Sequence, residues 1–333
     1  MIRLALVGCG PGASAYFPFL SRLPNARFTA VVDAERERAV HVGRTLDATV
    51  DADSLQQLLS RAADAFDAVI LHDDHGHRQQ HIELAAGAGK HVLVRTPLAL
   101  STSAADGAIA ACAAAGVRLM VGQALRFLPS HQTVKDSVAA GKLGAAGLVR
   151  IHRWECPEGG LTLAQDTGES PLLSRAIREI DLANWLFETL PTEVYSVGRR
   201  ESSDNLPHPD YVQVHLGFPD GGMAIIDDSQ TLPQGGDYYS LSVIGSTGAA
   251  YADDHHNMNL LYRGGTPTAI RSGEGLEHIR AQLAEFVASI QEEREPAVSG
   301  SEGRQAVLVA EAADASLQAG RAARLVGGRY ELV

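Results

Sequence analysis

The sequence predicts an α/β chain of two domains: an N-terminal domain with a doubly wound parallel sheet, and a C-terminal α+β domain with a large, mainly antiparallel sheet. Three observations carry this. Strand-like apolar runs alternate with helix-length segments as far as Val121. Short strands separated by tight turns follow from Leu148 onward. The first apolar run, Leu4 to Val7, breaks into Gly8, Gly10 and Gly12. Alternating strands and helices imply right-handed crossovers and a parallel sheet covered on both faces. Strands joined in sequence by tight turns favour antiparallel pairing. The division falls at residues 1–123 and 124–333.

The first strand runs into Gly8-Cys9-Gly10-Pro11-Gly12-Ala13. Gly8, Gly10 and Ala13 fit the G-x-G-x-x-G/A spacing of a dinucleotide site. The first glycine makes a tight turn, and the second removes a side chain that would block the pyrophosphate. The small third residue lets the next helix lie close, with its N–H groups aimed at the phosphates. Cys9, Pro11 and Gly12 complete the turn. The second strand, from Phe28, ends on Asp33, at the spacing of a carboxylate that accepts the adenosine ribose hydroxyls. An exposed helix follows over 34–43, with Glu35, Arg36, Glu37 and Arg38 in alternation. Arg36 or Arg38 is placed to meet the 2′-phosphate of NADP, which Asp33 would repel. The balance favours NAD, with NADP the alternative; a solvated helix face is the plain reading of both arginines.

Ser54 caps a helix reaching Ala63, and residues 66–71 form a buried strand. The turn after it is unusual: His72-Asp73-Asp74-His75-Gly76-His77. It sits at the carboxyl end of a parallel strand, where such folds bind ligands, so Leu71, His72, Asp73 and His77 are read as lining the cofactor or substrate. Histidines and aspartates also suit zinc, iron or manganese, but adjacent residues on one short turn rarely converge on an ion, and no metal is expected. A helix over 79–88 leads to a strand ending in Arg95-Thr96-Pro97. Ser101 or Ser103 caps an Ala-rich helix to Ala115, and a strand over 117–121 precedes Gln123. Arg95 and Gln123, at these strand ends, join the cofactor-lining set.

Past Leu148 come a strand over 148–155 and one long helix over 171–188. Strands over 193–200, 211–218, 223–228, 238–244, 249–251 and 260–263 follow, with turns at Phe218-Pro-Asp-Gly-Gly222 and Gly245-Ser-Thr-Gly248. Helices over 275–293 and 302–323 and an edge strand over 330–333 end the chain. One wide sheet with few helices leaves a bare face, predicted to meet a second copy as a homodimer or homotetramer.

Composition limits the function classes. With 333 residues the chain can bury a large core. A formal net charge of −12 argues against a nucleic-acid or anionic-membrane surface. Three cysteines, Cys9, Cys112 and Cys156, are too few and scattered for a disulfide framework or a tetrahedral metal site, and they fit a reducing cytosol. The N-terminus enters a strand directly, and no apolar run reaches transmembrane length, so a cytoplasmic protein is expected.

The order of elements resembles the glucose-fructose oxidoreductase, inositol dehydrogenase and rhizopine-catabolism family (Gfo/Idh/MocA) across essentially the whole chain. The resemblance rests on Gly8-Cys9-Gly10 with Asp33, on His77, and on the run Ala88 to Val94 leading into Pro97. It extends through Arg126-Phe127-x-Pro129, Asp181 to Phe187, Arg294-Glu-Pro296 and Gly320-Arg321. It implies an N-terminal Rossmann domain, a C-terminal sheet that builds oligomers, and hydride transfer between a nicotinamide and, usually, a sugar or cyclitol hydroxyl. The departures fall on the family's acid–base set. Glu-Lys-Pro is replaced by Arg95-Thr96-Pro97, and Asp-x-Gly-x-His by Ser174-x-Ala176-x-Arg178. The family's threonine-proline gives way to His72-Asp73.

Two readings follow. In the first, the chain is an NAD(P)-dependent oxidoreductase for a small polar substrate bearing sugar, cyclitol or carboxylate groups. Thr96, Ser174, Arg178 and His77 are then the candidate catalytic residues. Arg178 stays protonated and is a poor base, but it can grip a carboxylate or phosphate, while a proton moves through His72, His75 or His77. In the second, the protein is an NAD-binding pseudoenzyme serving as a subunit, sensor or scaffold. A lyase or hydrolase built on the histidine turn is a more distant third.

Overall fold

The structure, a computed structural model, describes residues 1–10, 13, 23, 25–72, 75–156, 169–200, 208–232, 237–253, 258–262, 268–271 and 277–333. The chain folds as two compact units, residues 1–127 with 275–304, and residues 128–274 with 305–333.

The first unit holds a six-stranded parallel sheet in the order β3-β2-β1-β4-β5-β6. Its strands are β1 (Ile2–Val7), β2 (Ala26–Val32), β3 (Val50–Ala52), β4 (Ala68–Leu71), β5 (His91–Arg95) and β6 (Leu119–Gly122). Helices α1 (Arg36–Leu46), α2 (Leu55–Ala62), α3 (Arg78–Gly87) and α4 (Thr102–Ala115) connect them. Both faces of a parallel sheet are covered, so its strands are apolar at every position rather than at alternate ones. Alternation instead sorts the residues between two core layers. Ala5, Val7, Val69, Leu71, Val92 and Val94 point toward Leu55, Leu58, Ile82, Ala105, Ala108 and Cys112. Leu4, Leu6, Val31, Ile70, Leu93 and Met120 point the other way, toward Ala39, Val42 and Leu46 of α1. The caps expected at Ser54 and Ser101 form, accepting the amides of Gln57 and Ala104.

A division at residue 123 places everything after it in one domain, whereas residues 275–304 complete the first unit. Helix α8 (Glu277–Gln291) supplies Ile279, Leu283 and Phe286 to the second core layer. The amide of Val121 then donates to the Val298 carbonyl at 2.9 Å. Helix α9 (Gly300–Ala319) begins against β6, where a Cβ on Gly303 would lie 2.5 Å from Val121 Cγ2. Its start is a capping box: Ser299 Oγ accepts the Glu302 amide at 3.4 Å, and Glu302 Oε2 accepts the Ser299 amide at 3.0 Å. Glu302 also receives Arg126, which ties the Arg126-Phe127 segment to this helix.

The second unit is a ten-stranded sheet in the order β14-β13-β12-β11-β7-β10-β9-β8-β15-β16. The strands are β7 (Ala146–Trp154), β8 (Glu193–Arg199), β9 (Tyr211–Gly217), β10 (Met223–Ser229), β11 (Tyr238–Gly245), β12 (Ala249–Asp253), β13 (Met258–Tyr262), β14 (Thr268–Arg271), β15 (Ala323–Val326) and β16 (Arg329–Leu332). Pairing is antiparallel except between β7 and β10. The two anticipated turns close, with Phe218 N–H on the Gly222 carbonyl and Gly245 N–H on that of Gly248. Helix α5 is Pro129–Ala139, with proline at its first turn. The single long helix expected over 171–188 is two: α6 (Pro171–Ser174) and α7 (Ile177–Phe187), broken where Arg175 leaves helical geometry at φ −121°, ψ −67°. Strands β3, β14 and β15 and helix α5 were not foreseen. Among the described residues no helix is long and apolar enough to cross a membrane.

Candidate functional site

At the end of β1 the chain turns on Gly8, whose φ of +87° suits a residue without a side chain. Its amide donates to the Val32 carbonyl at 2.9 Å, tying the turn to the end of β2. A Cβ on Gly10 would meet nothing within 4 Å among the described residues. Ala13 is buried, and its amide donates to the Gly10 carbonyl at 2.8 Å. Pro11, Gly12 and Asp73 lie outside the described residues.

Asp33 follows β2 with 7% of its surface exposed. Its Oδ2 accepts the Cys9 amide at 2.8 Å. Its Oδ1 accepts the Glu35 amide at 2.8 Å, and Arg38 Nε and Nη2 at 3.1 and 2.9 Å. Burial pushes this carboxyl up, but Arg38 and the two amides outweigh it and hold the group below the usual carboxylate range. An ionised carboxylate offers about four lone-pair sites, so Oδ2 keeps room for a further donor such as a ribose hydroxyl. Burial and the neighbouring Asp33 charge push the Cys9 thiol up to about 12. The two arginines of this region separate. Arg38 is occupied by Asp33 and by Glu35 at 3.3 Å, while Arg36, 70% exposed, reaches toward Asp51 and Asp53 at 3.5 and 3.6 Å.

The other strand ends of this sheet carry the remaining predicted residues. Leu71 is fully buried, and the His72 amide donates to the Val7 carbonyl at 2.8 Å, joining β4 to β1. His77 closes a short 3-10 turn (His75–His77) and is exposed, its ring 6.2 Å from that of His81. Buried Arg78 donates to the Pro97 carbonyl, linking this turn to Thr96-Pro97. Arg95 pairs with Gly122 across β5 and β6, and Thr96 and Gln123 are the next residues of the two chain segments at this sheet edge. Both are buried, and Thr96 Oγ1 and Gln123 Nε2 have no hydrogen-bond partner among the described residues. Gly8, Cys9, Gly10, Asp33, Leu71, His72, Arg95, Thr96 and Gln123 thus gather along one carboxyl edge of the parallel sheet; Arg36 stands away from Asp33.

Ser174 and Arg178 belong to the other unit. Ser170 caps α6, accepting the Leu172 amide, and Ser174 Oγ donates at 2.9 Å to the Ser170 carbonyl, so its hydroxyl turns back on its own helix. The break after Ser174 sends Arg175 toward β10, where it meets Asp228 at 2.7 Å and Gln230 at 3.2 Å. Arg178 donates Nε to the Arg175 carbonyl at 3.1 Å and lies 3.9 Å from Glu155. Behind it, Arg153 is held between Glu179 at 2.5 Å and Glu155 at 2.7 Å, with its guanidinium 4.9 Å from the Tyr239 ring. Burial raises the Glu155 carboxyl, but Arg153 and Arg178 outweigh it and keep it below the usual range. For Glu179, wholly buried, burial wins and pushes the carboxyl up. Burial and the Arg153 charge lower the Arg178 guanidinium.

Arg153, Glu155, Glu179, Arg175 and Tyr239 escaped the sequence reading. One signal for them exists. Arg153 falls in the register of Val149 and Ile151, both fully buried, so a charge occupies an apolar position of β7.

Comparison with known proteins matches residues 2–123 to the model of an oxidoreductase family with an NAD-binding Rossmann fold, and residues 131–251 to the Gfo/Idh/MocA C-terminal domain. The chain belongs to the Gfo/Idh/MocA family. It is 24% identical to a myo-inositol 2-dehydrogenase of Thermotoga maritima, over 97% of this chain and 98% of that one. It is 34% identical over 200 residues to an inositol 2-dehydrogenase of Rubrobacter xylanophilus, covering 59% of this chain and 55% of that protein. A crystal structure of scyllo-inositol dehydrogenase from Lactobacillus casei, with bound NAD(H) and scyllo-inositol, has a TM-score of 0.83 at 18% identity, covering 97% and 99% of the two chains. As in other Gfo/Idh/MocA proteins, the first sheet is an NAD-binding Rossmann sheet, and the glycine turn and Asp33 fit that cofactor.

Proposed function

We propose that this Gfo/Idh/MocA protein is an NAD-dependent oxidoreductase acting on a small polar substrate, with Thr96, Ser174, Arg178 and His77 standing in for the family's acid–base set. The observation that carries the reading is the carboxylate of Asp33: ionised, fixed by three groups, and left with an acceptor site on Oδ2 at the end of β2. When bound, NAD supplies the hydride acceptor or donor. The chain's own work is then to bind, orient and move one proton. Gly8 and Gly10 leave room above β1, and Asp33 orients the adenosine ribose. Thr96 does not ionise near neutral pH, so its buried hydroxyl orients rather than deprotonates. Arg178 grips the substrate, and proton movement falls to His72 or His77, whose ring nitrogens can each donate or accept.

The same reading gives a cytoplasmic protein that assembles through the second sheet. Tyr195, Val197, Met223 and Ile244 are exposed, and their alternation puts all four on the face shared by His152 and Trp154, opposite Val149, Ile151 and Arg153. An exposed apolar band on one sheet face supports pairing with a second copy.

Titration of the purified protein with NAD+ and NADH, followed by thermal shift, tests the cofactor half. A nicotinamide-absorbance screen over cyclitols, sugars and hydroxy acids tests the catalytic half. Stabilisation by NAD+ together with turnover of one class supports the reading; absence of turnover across all classes with NAD+ bound refutes it.

A further inference from the structure

Three arginines and three carboxylates meet at the end of β7, and their pairing is uneven. Arg153 pairs closely with Glu179 and Glu155, at 2.5 and 2.7 Å, and Arg175 with Asp228 at 2.7 Å and Gln230 at 3.2 Å. Arg178 has the loosest ion pair, 3.9 Å to Glu155, and the most exposed side chain, 26% against 10% and 18% for the other two. Its pairing carboxylate is already satisfied by Arg153 at 2.7 Å. We infer that Arg178 is the anchor for an anionic group on the substrate, a carboxylate or a phosphate, and that this enzyme therefore selects acids over neutral polyols.

The inference rests on the oxidoreductase reading for the word substrate, and on the arginine geometry for its charge. Guanidinium presents a planar fork that matches carboxylate and phosphate oxygens two at a time, and it stays charged throughout the working pH range. A neutral polyol would leave that fork with Glu155, at 3.9 Å, as its nearest carboxylate among the described residues. Glu155 does not repel an incoming anion as a free carboxylate would, because Arg153 neutralises it. Arg153 and Arg175 act here as positioning residues: one fixes Glu155, and the other presents the carbonyl that holds Arg178 Nε.

The experiment compares D-glucose and myo-inositol with D-gluconate, D-glucuronate, L-malate and D-glucose 6-phosphate, on the full chain, by thermal shift and by NADH formation. At least one acid is expected to stabilise the protein and to show a lower KM than its neutral counterpart. The carboxylate and phosphate arms tell which anion is preferred. Arg178→Gln should raise that KM about 10- to 100-fold, and abolish stabilisation by the acid, while stabilisation by NAD+ is retained. Arg178→Lys should recover part of both, and it keeps the test open if the glutamine variant folds poorly. Equal or better use of the neutral polyol overturns the inference. So does stabilisation by an acid that Arg178→Gln leaves intact, or failure of every acid to stabilise the wild type. Acid binding through Arg178 without NADH formation would sink the oxidoreductase reading and leave the anion site standing.

Discussion

Asp33 takes both Nε and Nη2 of Arg38 on its Oδ1, at 3.1 and 2.9 Å, while among the described residues Oδ2 receives only the Cys9 amide, at 2.8 Å. One of the two arginines placed to meet a 2′-phosphate, Arg38, is thus committed to the carboxylate that would repel one. Asp33→Asn is expected to weaken NAD+ binding about 10- to 100-fold, the value of a hydrogen bond to a charged group, and to narrow the preference over NADP+. Calorimetric titration of both cofactors measures this; unchanged NAD+ affinity would refute the role given to Asp33.

The capping box at Ser299 and Glu302 fastens α9 to the parallel sheet. Ser299→Ala should cost about 1 kcal/mol in urea unfolding, as a lost N-cap does. Glu302→Ala should cost more, because Arg126, 5% exposed, loses its carboxylate partner as well. Equal losses for the two variants would mean that Arg126 gains nothing from Glu302.

His91 gives the first unit a pH-sensitive contact. Its Nδ1 accepts the Arg118 amide at 2.9 Å, which requires the neutral ring. Burial, helped by the Arg118 charge, lowers its pKa from the ordinary 6.5. Above that value both folded and unfolded chains carry neutral imidazole, and the contribution is complete. As pH falls, the unfolded chain takes the proton first, so stability declines through the folded pKa. His91→Asn keeps an acceptor without titrating, and it should flatten the urea midpoint between about pH 7.5 and 5 relative to wild type. Parallel profiles for the two proteins would count against the assignment.

Arg153 cannot be removed cheaply. Breaking a buried pair from one side leaves an uncompensated charge, so Arg153→Met should cost about 3–5 kcal/mol. Glu179→Gln should cost less, because Arg153 still holds Glu155. The Arg153→Met/Glu179→Gln double variant should be more stable than the sum of the single losses implies. A double-mutant cycle in urea reads that coupling directly, and strict additivity would contradict it.

The apolar band on the second sheet is tested by Tyr195→Asp with Met223→Asp. Light scattering after gel filtration should show a dimer or tetramer for wild type and a monomer for the double variant. A monomeric wild type would remove the proposal.

The parallel sheet was legible because β1, β2, β4, β5 and β6 are continuous apolar runs with capped helices between them, and because Gly8 and Asp33 sit at fixed chemical spacing. Strand β3 was not: Val50-Asp51-Ala52 is three residues with one buried side chain, too short for any period to register. The break between α6 and α7 hid for a different reason. Ser174, Arg175 and Ala176 are ordinary helix residues, and only the pull of Asp228 and Gln230 on Arg175 accompanies the departure. The glycine turn and strand ends of the site could be read locally. The arginine–carboxylate cluster could not, since its members come from β7, β10, β11 and α7 and only the tertiary fold assembles them.

The dependence of the first unit on residues 275–304 makes its completion a matter of timing during translation. All six strands of the parallel sheet are synthesised before residues 128–274, and the helix bearing Ile279, Leu283 and Phe286 comes after those. At about 5–20 residues per second, that interval is roughly 7–30 s. Throughout it, part of the layer containing Leu4, Leu6, Val31, Leu93 and Met120 has no cover from α8. The nascent chain therefore carries a half-covered sheet through that interval. A fragment stopped at residue 127 would be expected to aggregate, whereas a circular permutant that synthesises 275–304 early would shorten the exposure.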